Sequence, residues 1–402
     1  MNFSKKLIQP ILYLLAGSSL IYFIEAFQSI MMIVTALLLI SFSTFEDFKF
    51  SKKNAPFLLS FFILAFYYTL FFSSKSLKLI AESLLLFVIP LLSIYLYRFE
   101  TFAKDLKKIQ FAYSISLSLL CLYFLAFYIY DIRNHHFDWY LARYNLEFYN
   151  KIHGTYICLW IAIAILFLAD LTSGFKQFSL PKKVLFGLMF ALLFSGLIIY
   201  NSRNIIVGLI IILGIRFLLL KKQNKTISKK LLFLFLFAVI SVILLSQRYL
   251  EDIQFLFENS FKNSTRYAAW SCSSQLIYDS NFLGMDFNLI QEKLNECYVP
   301  FHSLELTKFK INSHNQYLDF LLKGGILMLL AFISTLFVKI KYALKSHNYL
   351  YLSLTILFAI SFITENILVR QYGMYSYFLC DVLFLGSILG NKNHSRYEVK
   401  KH

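Results

Sequence analysis

Charged residues are scarce in this chain, which contains 15% Asp, Glu, Lys and Arg against 58% hydrophobic residues. A soluble globular protein has about 45–50% apolar residues, and a soluble core could not hide a larger share of this kind. Proline and glycine are also few, with 5 and 13 residues, and no stretch rich in either separates a soluble domain from the rest. The composition therefore excludes an ordinary soluble protein.

The motifs of several enzyme classes are missing as well. The chain has no glycine-rich phosphate loop, no Cys/His set at zinc spacing and no Asp-x-Asp sequence of the kind that holds a metal-bound nucleotide sugar. These absences argue against an enzyme that uses ATP or a nucleotide sugar, and we expect no metal and no cofactor. Cys121, Cys158 and Cys380 lie in apolar runs, where they should pack as small hydrophobic residues.

The chain consists mainly of apolar runs of about 16–23 residues, the length that crosses a hydrocarbon layer of ~30 Å. In lipid only helices and closed barrels satisfy their own backbone hydrogen bonds, so these runs predict an all-α, polytopic integral membrane protein with about 12 transmembrane helices. The predicted spans lie near residues 7–24, 28–43, 56–72, 79–97, 108–130, 153–169, 183–200, 203–220, 231–247, 315–337, 349–364 and 372–390. They divide the chain into helices 1–9 over 1–247, an external segment over 248–314, and helices 10–12 with a tail over 315–402.

The net charge of +17 comes from short basic clusters between the apolar runs. A nucleic-acid-binding surface would be continuous, whereas membrane proteins retain such clusters on their cytoplasmic side. Most basic residues lie in alternate segments, including Lys339 and the tail, so we predict that both termini are cytoplasmic. This orientation places four segments on the outer face: 131–152, 201–203, 248–314 and 365–371.

The external segment is the longest polar interval of the sequence. It is too long for an ordinary connection without structure, so we expect it to be partly helical. The run Arg266–Leu283 has apolar residues at roughly helical spacing, with Ser264 or Thr265 as a candidate N-cap. Cys272 and Cys297 lie here, where an oxidising exterior permits a disulfide that the sequence alone does not establish.

Several residues at the predicted outer ends of the spans have two interpretations. Arg203 opens a span, where an arginine either binds a ligand or extends to water. Arg266 shares a helix face with Trp270, either in a binding site or as a simple contact between a cation and an aromatic ring. His314 begins a span, where a histidine either caps the helix or acts chemically.

Other ionisable residues lie within or between the last spans. Asp319 and Lys323 have the spacing of a helical ion pair, which could simply neutralise two charges in the membrane. Asp381 lies well inside the last span and is a functional candidate, with a hydrogen bond to a neighbouring Tyr or Ser as the simpler explanation. Glu365 and Arg370 bracket a short outer loop, across which they could pair.

Taken together, the order of these motifs resembles the O-antigen ligase/polymerase superfamily of bacterial envelope glycosyltransferases. The resemblance extends over roughly residues 150 to 370, although Asp279-Ser280-Asn281 departs from the Asp-x-Pro that this family often has. The residues that carry it are Ser202-Arg203, Arg266-Tyr267-x-x-Trp270, the stretch from Asp279 to Gly284, His314-Asn315-x-Tyr317-Leu318 and Gly324-Gly325.

The resemblance implies transfer of a glycan from an undecaprenyl diphosphate carrier to an acceptor hydroxyl, on the periplasmic side of the bacterial inner membrane. The acceptor is the lipid A core for a ligase, another lipid-linked glycan for a polymerase, and a protein for a protein O-oligosaccharyltransferase. We expect a ligase. Its partners are then this donor, the lipid A core and membrane lipid, with no nucleic acid.

The chemistry of this transfer assigns roles to the candidate residues. A glycosyl diphosphate already has a good leaving group, so the site needs cations, and we predict that Arg203 and Arg266 bind the diphosphate. The acceptor hydroxyl must lose a proton, and we predict His314 as the catalytic base because an imidazole titrates near pH ~6.5. The predicted positioning residues are Asn315, Tyr317 and Trp270, and the further candidates are Asp319, Lys323 and Asp381.

A polysaccharide transporter or flippase is the alternative from another class. In such a protein Asp319, Lys323 and Asp381 would form a charged pathway. Transporters of this size usually show two related halves with a central connection on the inside, whereas the large excursion here is late and external. The sequence therefore favours the enzyme.

Overall fold

The structure of the protein is a computed structural model that describes residues 2–43, 51–99, 102–134, 139–172, 178–222, 265–301 and 311–389. Within these ranges every regular element is helical and no strand occurs, as the sequence predicts. The α-helices are α1 (Asn2–Gly17), α2 (Glu25–Phe42), α3 (Ala55–Leu70), α4 (Ser76–Phe87), α5 (Phe102–Asn134), α6 (Trp139–Asn150), α7 (Gly154–Leu171), α8 (Leu180–Tyr200), α9 (Arg203–Lys222), α10 (Thr265–Asp279), α11 (Ile290–Tyr298), α12 (Gln316–Lys345), α13 (Tyr349–Ser361) and α14 (Gln371–Leu389). Short 3-10 helices cover Ser18–Ile21, Ile89–Arg98, Val299–Phe301 and Ile367–Val369.

Within the described ranges, six helical segments are long and apolar enough to cross a membrane. They are Ser76–Arg98, Phe102–Asn134, Gly154–Leu171, Leu180–Tyr200, Gln316–Lys345 and Gln371–Leu389. Shorter apolar helices lie at Leu7–Ile21, Ala26–Phe42, Ala55–Leu70 and Tyr349–Ser361. The total of about 12 spans stays a prediction, because fewer segments meet this length and the span expected at 231–247 lies outside the described residues.

Two helices form the centre of the bundle. In α7 every residue from Gly154 to Leu168 is buried, and α14 is buried along almost its whole length. A helix that is apolar all round has no face for water and is therefore covered on every side. α7 packs against α5, α8 and α9, while α14 packs against the 3-10 helix Ile89–Arg98. The indole nitrogen of Trp160 in α7 donates to the carbonyl oxygen of Tyr372 in α14 at 3.1 Å, which joins the two central helices.

A buried ion pair connects α12, α13 and α14. Lys339 Nζ donates to Asp381 Oδ2 at 2.5 Å and to the Tyr377 hydroxyl at 2.6 Å, and the Tyr351 hydroxyl donates to Asp381 Oδ1 at 2.7 Å. The expected hydrogen bond between Asp381 and a tyrosine is thus present, together with an unexpected lysine. Lys339 was predicted in a cytoplasmic segment, and this is wrong because α12 continues to Lys345 and places Lys339 inside the bundle, 1% exposed.

The described part of the segment 248–314 is a helical hairpin. A disulfide between Cys272 and Cys297 joins α10 to α11, so the bond that the sequence permits is present. The buried apolar residues of the hairpin pack around Leu322 of α12. α10 begins at Thr265, whereas Ser264, the other candidate N-cap, lies outside the described residues.

The turn between α10 and α11 docks on a break in α12. Gly325 adopts φ 63° and ψ −163°, a conformation that glycine alone adopts without strain. The backbone groups released by the break find partners in the turn: the amide of Ile326 donates to the carbonyl of Phe282 at 2.8 Å, and the amide of Met285 donates to the carbonyl of Leu322 at 2.8 Å. Two of the stretches that carry the resemblance, the turn and the glycine pair, are therefore two halves of one backbone contact.

The same turn is also attached to the end of α3. The Tyr67 hydroxyl donates to the carbonyl of Leu283, and the side-chain amide of Asn288 donates to the carbonyl of Phe71 at 3.1 Å. Tyr68 packs edge to face on Phe287, with ring centroids 5.1 Å apart. The hairpin is thus held on two sides, by α12 and by α3.

Gly325→Ala should detach the hairpin from α12, because a Cβ there would lie 2.5 Å from the carbonyl oxygen of Phe282. Limited proteolysis of the purified protein in detergent should then cut residues 265–301 faster than in the wild type. Gly187→Ala in α8 is the matched control, since no atom lies within 4 Å of its added Cβ. Equal cleavage rates for Gly325→Ala and wild type would contradict the docking.

Lys339→Met should destabilise the bundle by about 3–5 kcal/mol, because it leaves the Asp381 carboxylate buried without its cation. Lys341→Met, two residues further along α12, is the matched control: Lys341 is exposed, and such a surface change should stay within about 0.5 kcal/mol. Denaturant unfolding in detergent micelles measures both. If the two variants unfolded at the same midpoint, the ion pair would not contribute to stability.

Candidate functional site

One buried carboxylate joins the hairpin to an end of the helix bundle. Glu365 lies in the loop between α13 and α14, and its side chain is 8% exposed. Its Oε1 accepts a hydrogen bond from Arg266 Nη2 at 3.3 Å, and its Oε2 lies 3.3 Å from Nδ1 of His314. Arg266 belongs to α10 and His314 immediately precedes the cap of α12, so three separate stretches of chain meet at this carboxylate.

The charges around Glu365 keep it ionised. Burial raises the pKa of the Glu365 carboxyl, but the hydrogen bond and charge of His314, with the charges of His153 and Arg266, outweigh burial and hold this pKa below its ordinary value. An ionised carboxylate can only accept hydrogen bonds, so Nδ1 of His314 carries the proton of their contact. When the ring is neutral, Nε2 is then the nitrogen with the lone pair, and this atom is able to accept a proton.

The backbone of His314 is held in an uncommon conformation. Its φ is 44°, in the left-handed region, which costs a residue with a side chain about 1–2 kcal/mol. The amide of His314 donates to Asn312 Oδ1 at 3.0 Å, and its carbonyl accepts from the indole nitrogen of Trp270 at 3.4 Å. Arg266 and Trp270, four residues apart on α10, therefore reach the same place: one binds the carboxylate and the other binds the backbone of the histidine.

Two of the predicted positioning residues anchor the start of α12. Asn315 caps the helix, because its Oδ1 accepts from the amides of Tyr317 at 2.9 Å and Leu318 at 3.2 Å. The hydroxyl of Tyr317 donates to the carbonyl of Ala359 in α13 at 2.9 Å. Both residues thus act on the backbone, Asn315 within α12 and Tyr317 between α12 and α13.

Hydrogen bonds clamp the Glu365 loop onto the residues that flank His314. Gln316 is fully buried, and its Oε1 accepts from the amide of Leu368 at 2.8 Å. On the other side of the histidine, the Ser313 hydroxyl accepts from the side-chain amide of Asn366 at 3.0 Å. These contacts fix the distance between His314 and Glu365, because they join the backbone segments that carry the two side chains.

The remaining candidates divide into two groups. Asp319 and Lys323 form the predicted helical ion pair at 2.7 Å, and Asp319 Oδ2 also accepts from Gln316 Nε2 at 3.2 Å. This pair therefore holds the side chain of Gln316, which in turn binds the Glu365 loop. Asp381 lies apart from the site, in the ion pair with Lys339 near the other end of α12.

Arg203 lies near the edge of the site, because the residue after it, Asn204, contacts the Glu365 loop. Asn201 ends α8 in the left-handed conformation, at φ 45°, and Arg203 then opens α9 with an exposed side chain. The amide group of Asn204 hydrogen-bonds the hydroxyl of Thr364, the residue before Glu365. The first turn of α9 therefore lies beside the loop that carries the central carboxylate.

Glu365 is the residue that the sequence prediction missed. Its expected partner was Arg370, but its ion pairs are with Arg266 and His314. One signal was available, since Glu365 is the single acid in the short segment between the last two predicted spans, and two predicted cations needed a counter-charge. His153, just before α7, was missed too, although its charge acts on the same carboxylate. Among the residues that the structure describes, no three His, Cys, Asp or Glu side chains form a group that could hold a metal ion.

One family model matches part of the chain. A family model described as O-antigen ligase matches residues 188–333, a region that starts within α8, ends within α12 and contains Arg203, Arg266 and His314. None of the curated proteins with which the chain was compared matches it. Together with the helical bundle and its apolar spans, the match over residues 188–333 supports the resemblance to the O-antigen ligase superfamily that was found in the sequence.

Proposed function

We propose that the protein is a ligase that transfers a glycan from undecaprenyl diphosphate to a hydroxyl of the lipid A core. The observation that carries this proposal is the meeting of Arg266 and His314 at the Glu365 carboxylate. A permanent cation and an oriented base are the two groups that this transfer requires. The reaction takes place at the periplasmic face of the inner membrane, with both termini of the chain in the cytoplasm.

In the proposed reaction the acceptor hydroxyl oxygen attacks the anomeric carbon of the glycan, and the bond from that carbon to the diphosphate breaks. Nε2 of His314 takes the hydroxyl proton, a contribution of about 10²–10⁴-fold for a general base. The Glu365 carboxylate is hydrogen-bonded to Nδ1 of the same ring, so it holds the ring in place and stabilises the imidazolium that forms. Undecaprenyl diphosphate leaves with the negative charge.

Arg266 and Arg203 receive the charge of the diphosphate in this proposal. The guanidinium of Arg266 is half exposed and uses Nη2 in its bond to Glu365, and a guanidinium has five N–H donors. One unit-charge pair at ~4 Å contributes about 4 kcal/mol at an effective dielectric constant near 20. In this proposal Arg203, the first residue of α9, adds a second cation beside the Glu365 loop.

Two alternatives share this site, and a third does not. A polysaccharide polymerase or a protein O-oligosaccharyltransferase would use the same donor chemistry with another acceptor. A transporter or flippase needs a charged pathway from Asp319, Lys323 and Asp381. Asp319 and Lys323 are paired with each other beside Gln316, and Asp381 is paired separately with Lys339. These residues therefore do not line up as a pathway.

Deletion of the gene, followed by analysis of the cell-envelope glycans, tests the proposed function. For a ligase, long glycan chains should disappear from the lipid A core while lipid-linked polymer accumulates. Single repeat units on the acceptor would instead indicate a polymerase, and an unchanged lipid A glycan with altered glycoproteins would indicate a protein glycosyltransferase.

Complementation of the deletion strain with Arg203→Lys should fail, because an ammonium lacks the paired donors of a guanidinium. Full rescue would show that Arg203 merely extends to water.

His314→Ala should lower the transfer rate by about 10²–10⁴-fold, because it removes the base. Glu365→Gln should also lower the rate, since a neutral amide cannot stabilise the imidazolium that forms on His314. Both are measured with membranes that contain the variant, lipid-linked donor and acceptor. Glu296→Gln on α11 is the control, as Glu296 is exposed and pairs with Lys293. Full activity of His314→Ala would overturn the assignment of the base.

A further inference from the structure

α6 is a short helix between two candidate membrane spans. It has 12 residues and therefore a length of about 18 Å, whereas the hydrocarbon layer is about 30 Å thick. α5 ends at Asn134 shortly before it and α7 begins at Gly154 shortly after it. Because α6 cannot cross the layer, it lies on one side of the membrane, at the end of the bundle where α5 finishes and α7 starts.

One face of α6 is fixed to the bundle. Ala142, Leu146 and Asn150, spaced by four residues, are buried. The side chain of Asn150 accepts a hydrogen bond from the Tyr22 hydroxyl. The side-chain amide of Asn145 donates to Asp131 Oδ2, near the end of α5, at 3.0 Å. The helix is therefore a fixed part of the structure, and its orientation is defined.

Three aromatic side chains of α6 remain largely uncovered. Tyr144, Phe148 and Tyr149 are each 65% exposed, and Tyr144 stacks on Phe148 with ring centroids 6.2 Å apart. Tyr149 packs on Phe127 of α5, so this surface continues into the exposed apolar side of a candidate span. We name Tyr144, Phe148 and Tyr149 the aromatic face.

We propose that the aromatic face of α6 is embedded in the lipid at the membrane surface, between headgroups and acyl chains. Tyrosine has an apolar ring and a polar hydroxyl, which suits this boundary, and such residues form belts at both surfaces of membrane proteins. The continuity of the aromatic face with the lipid-facing side of α5 favours lipid over water or a second protein as the occupant.

The placement of α6 also sets the depth of the candidate site. Glu147 of α6 lies close to Gly154, since a Cβ on that glycine would be 2.6 Å from Glu147 Oε1. His153, the residue before, acts through its charge on Glu365. The site therefore lies near the level of the lipid headgroups, where the diphosphate of a lipid-linked substrate is located. This last step depends on the proposed function, whereas the position of α6 in the membrane does not.

Nitroxide labels on single introduced cysteines test the proposal in the full chain, reconstituted in bilayers of phosphatidylethanolamine and phosphatidylglycerol. Labels at Tyr144→Cys and Phe148→Cys report on the aromatic face. Leu119→Cys on α5 is the lipid control and Tyr278→Cys on α10 is the water control, as both native residues are exposed. The native cysteines do not interfere, because Cys121, Cys158 and Cys380 are buried and the others form the disulfide.

Power saturation with oxygen, which concentrates in lipid, and with a water-soluble nickel chelate gives the result. Both labels on α6 should show an oxygen-to-nickel accessibility ratio several-fold above that at position 278, and a shallower depth than at position 119. Ratios equal to that at 278 would overturn the proposal, since the aromatic face would then be in water. Spin–spin broadening between labels would overturn it as well, because a second copy of the chain would then cover the face.

Discussion

The ionised carboxylate of Glu365 is the point on which the arrangement of the site depends. A charge that is 8% exposed is stable only with partners, and Arg266 and His314 supply them from two other parts of the chain. The loss of hydration is offset because the carboxylate holds one partner by a charged hydrogen bond and the other through its ring nitrogen. Local features serve this contact: Asn315 caps the helix that follows His314, and Gln316 clamps the loop that carries the carboxylate.

The motifs of the sequence divide between chemistry and assembly. The turn after α10 and the glycine pair of α12 contain no group that reacts. Backbone hydrogen bonds between them attach α10, and with it Arg266, to the bundle. The disulfide between α10 and α11 acts in the same direction, because it joins the docked turn's two helices. At the other end of α12, the ion pair of Lys339 and Asp381 stabilises the frame and takes no part in the site.

Much of the helical structure could be predicted, because an apolar run long enough to cross lipid has few other conformations. The pair of Asp319 with Lys323 and the shared face of Arg266 with Trp270 were also predictable, since both depend on spacing within one helix. Glu365 was not, because its partners lie 51 and 99 residues away and only tertiary structure brings them together. Lys339 was misplaced for a related reason: sequence patterns treat a lysine as an end of a span, whereas a buried aspartate on another helix keeps it inside.

In the proposed reaction this site cleaves a glycosyl diphosphate bond of a lipid-linked donor with side chains alone. The most direct measurement uses the purified protein in liposomes with an undecaprenyl diphosphate-linked glycan, lipid A core as the acceptor and EDTA, in the absence of any nucleotide. We predict that each glycan transferred to the acceptor releases one undecaprenyl diphosphate. Transfer that required a nucleotide sugar or a metal ion, or movement of the intact donor across the bilayer without cleavage, would contradict it.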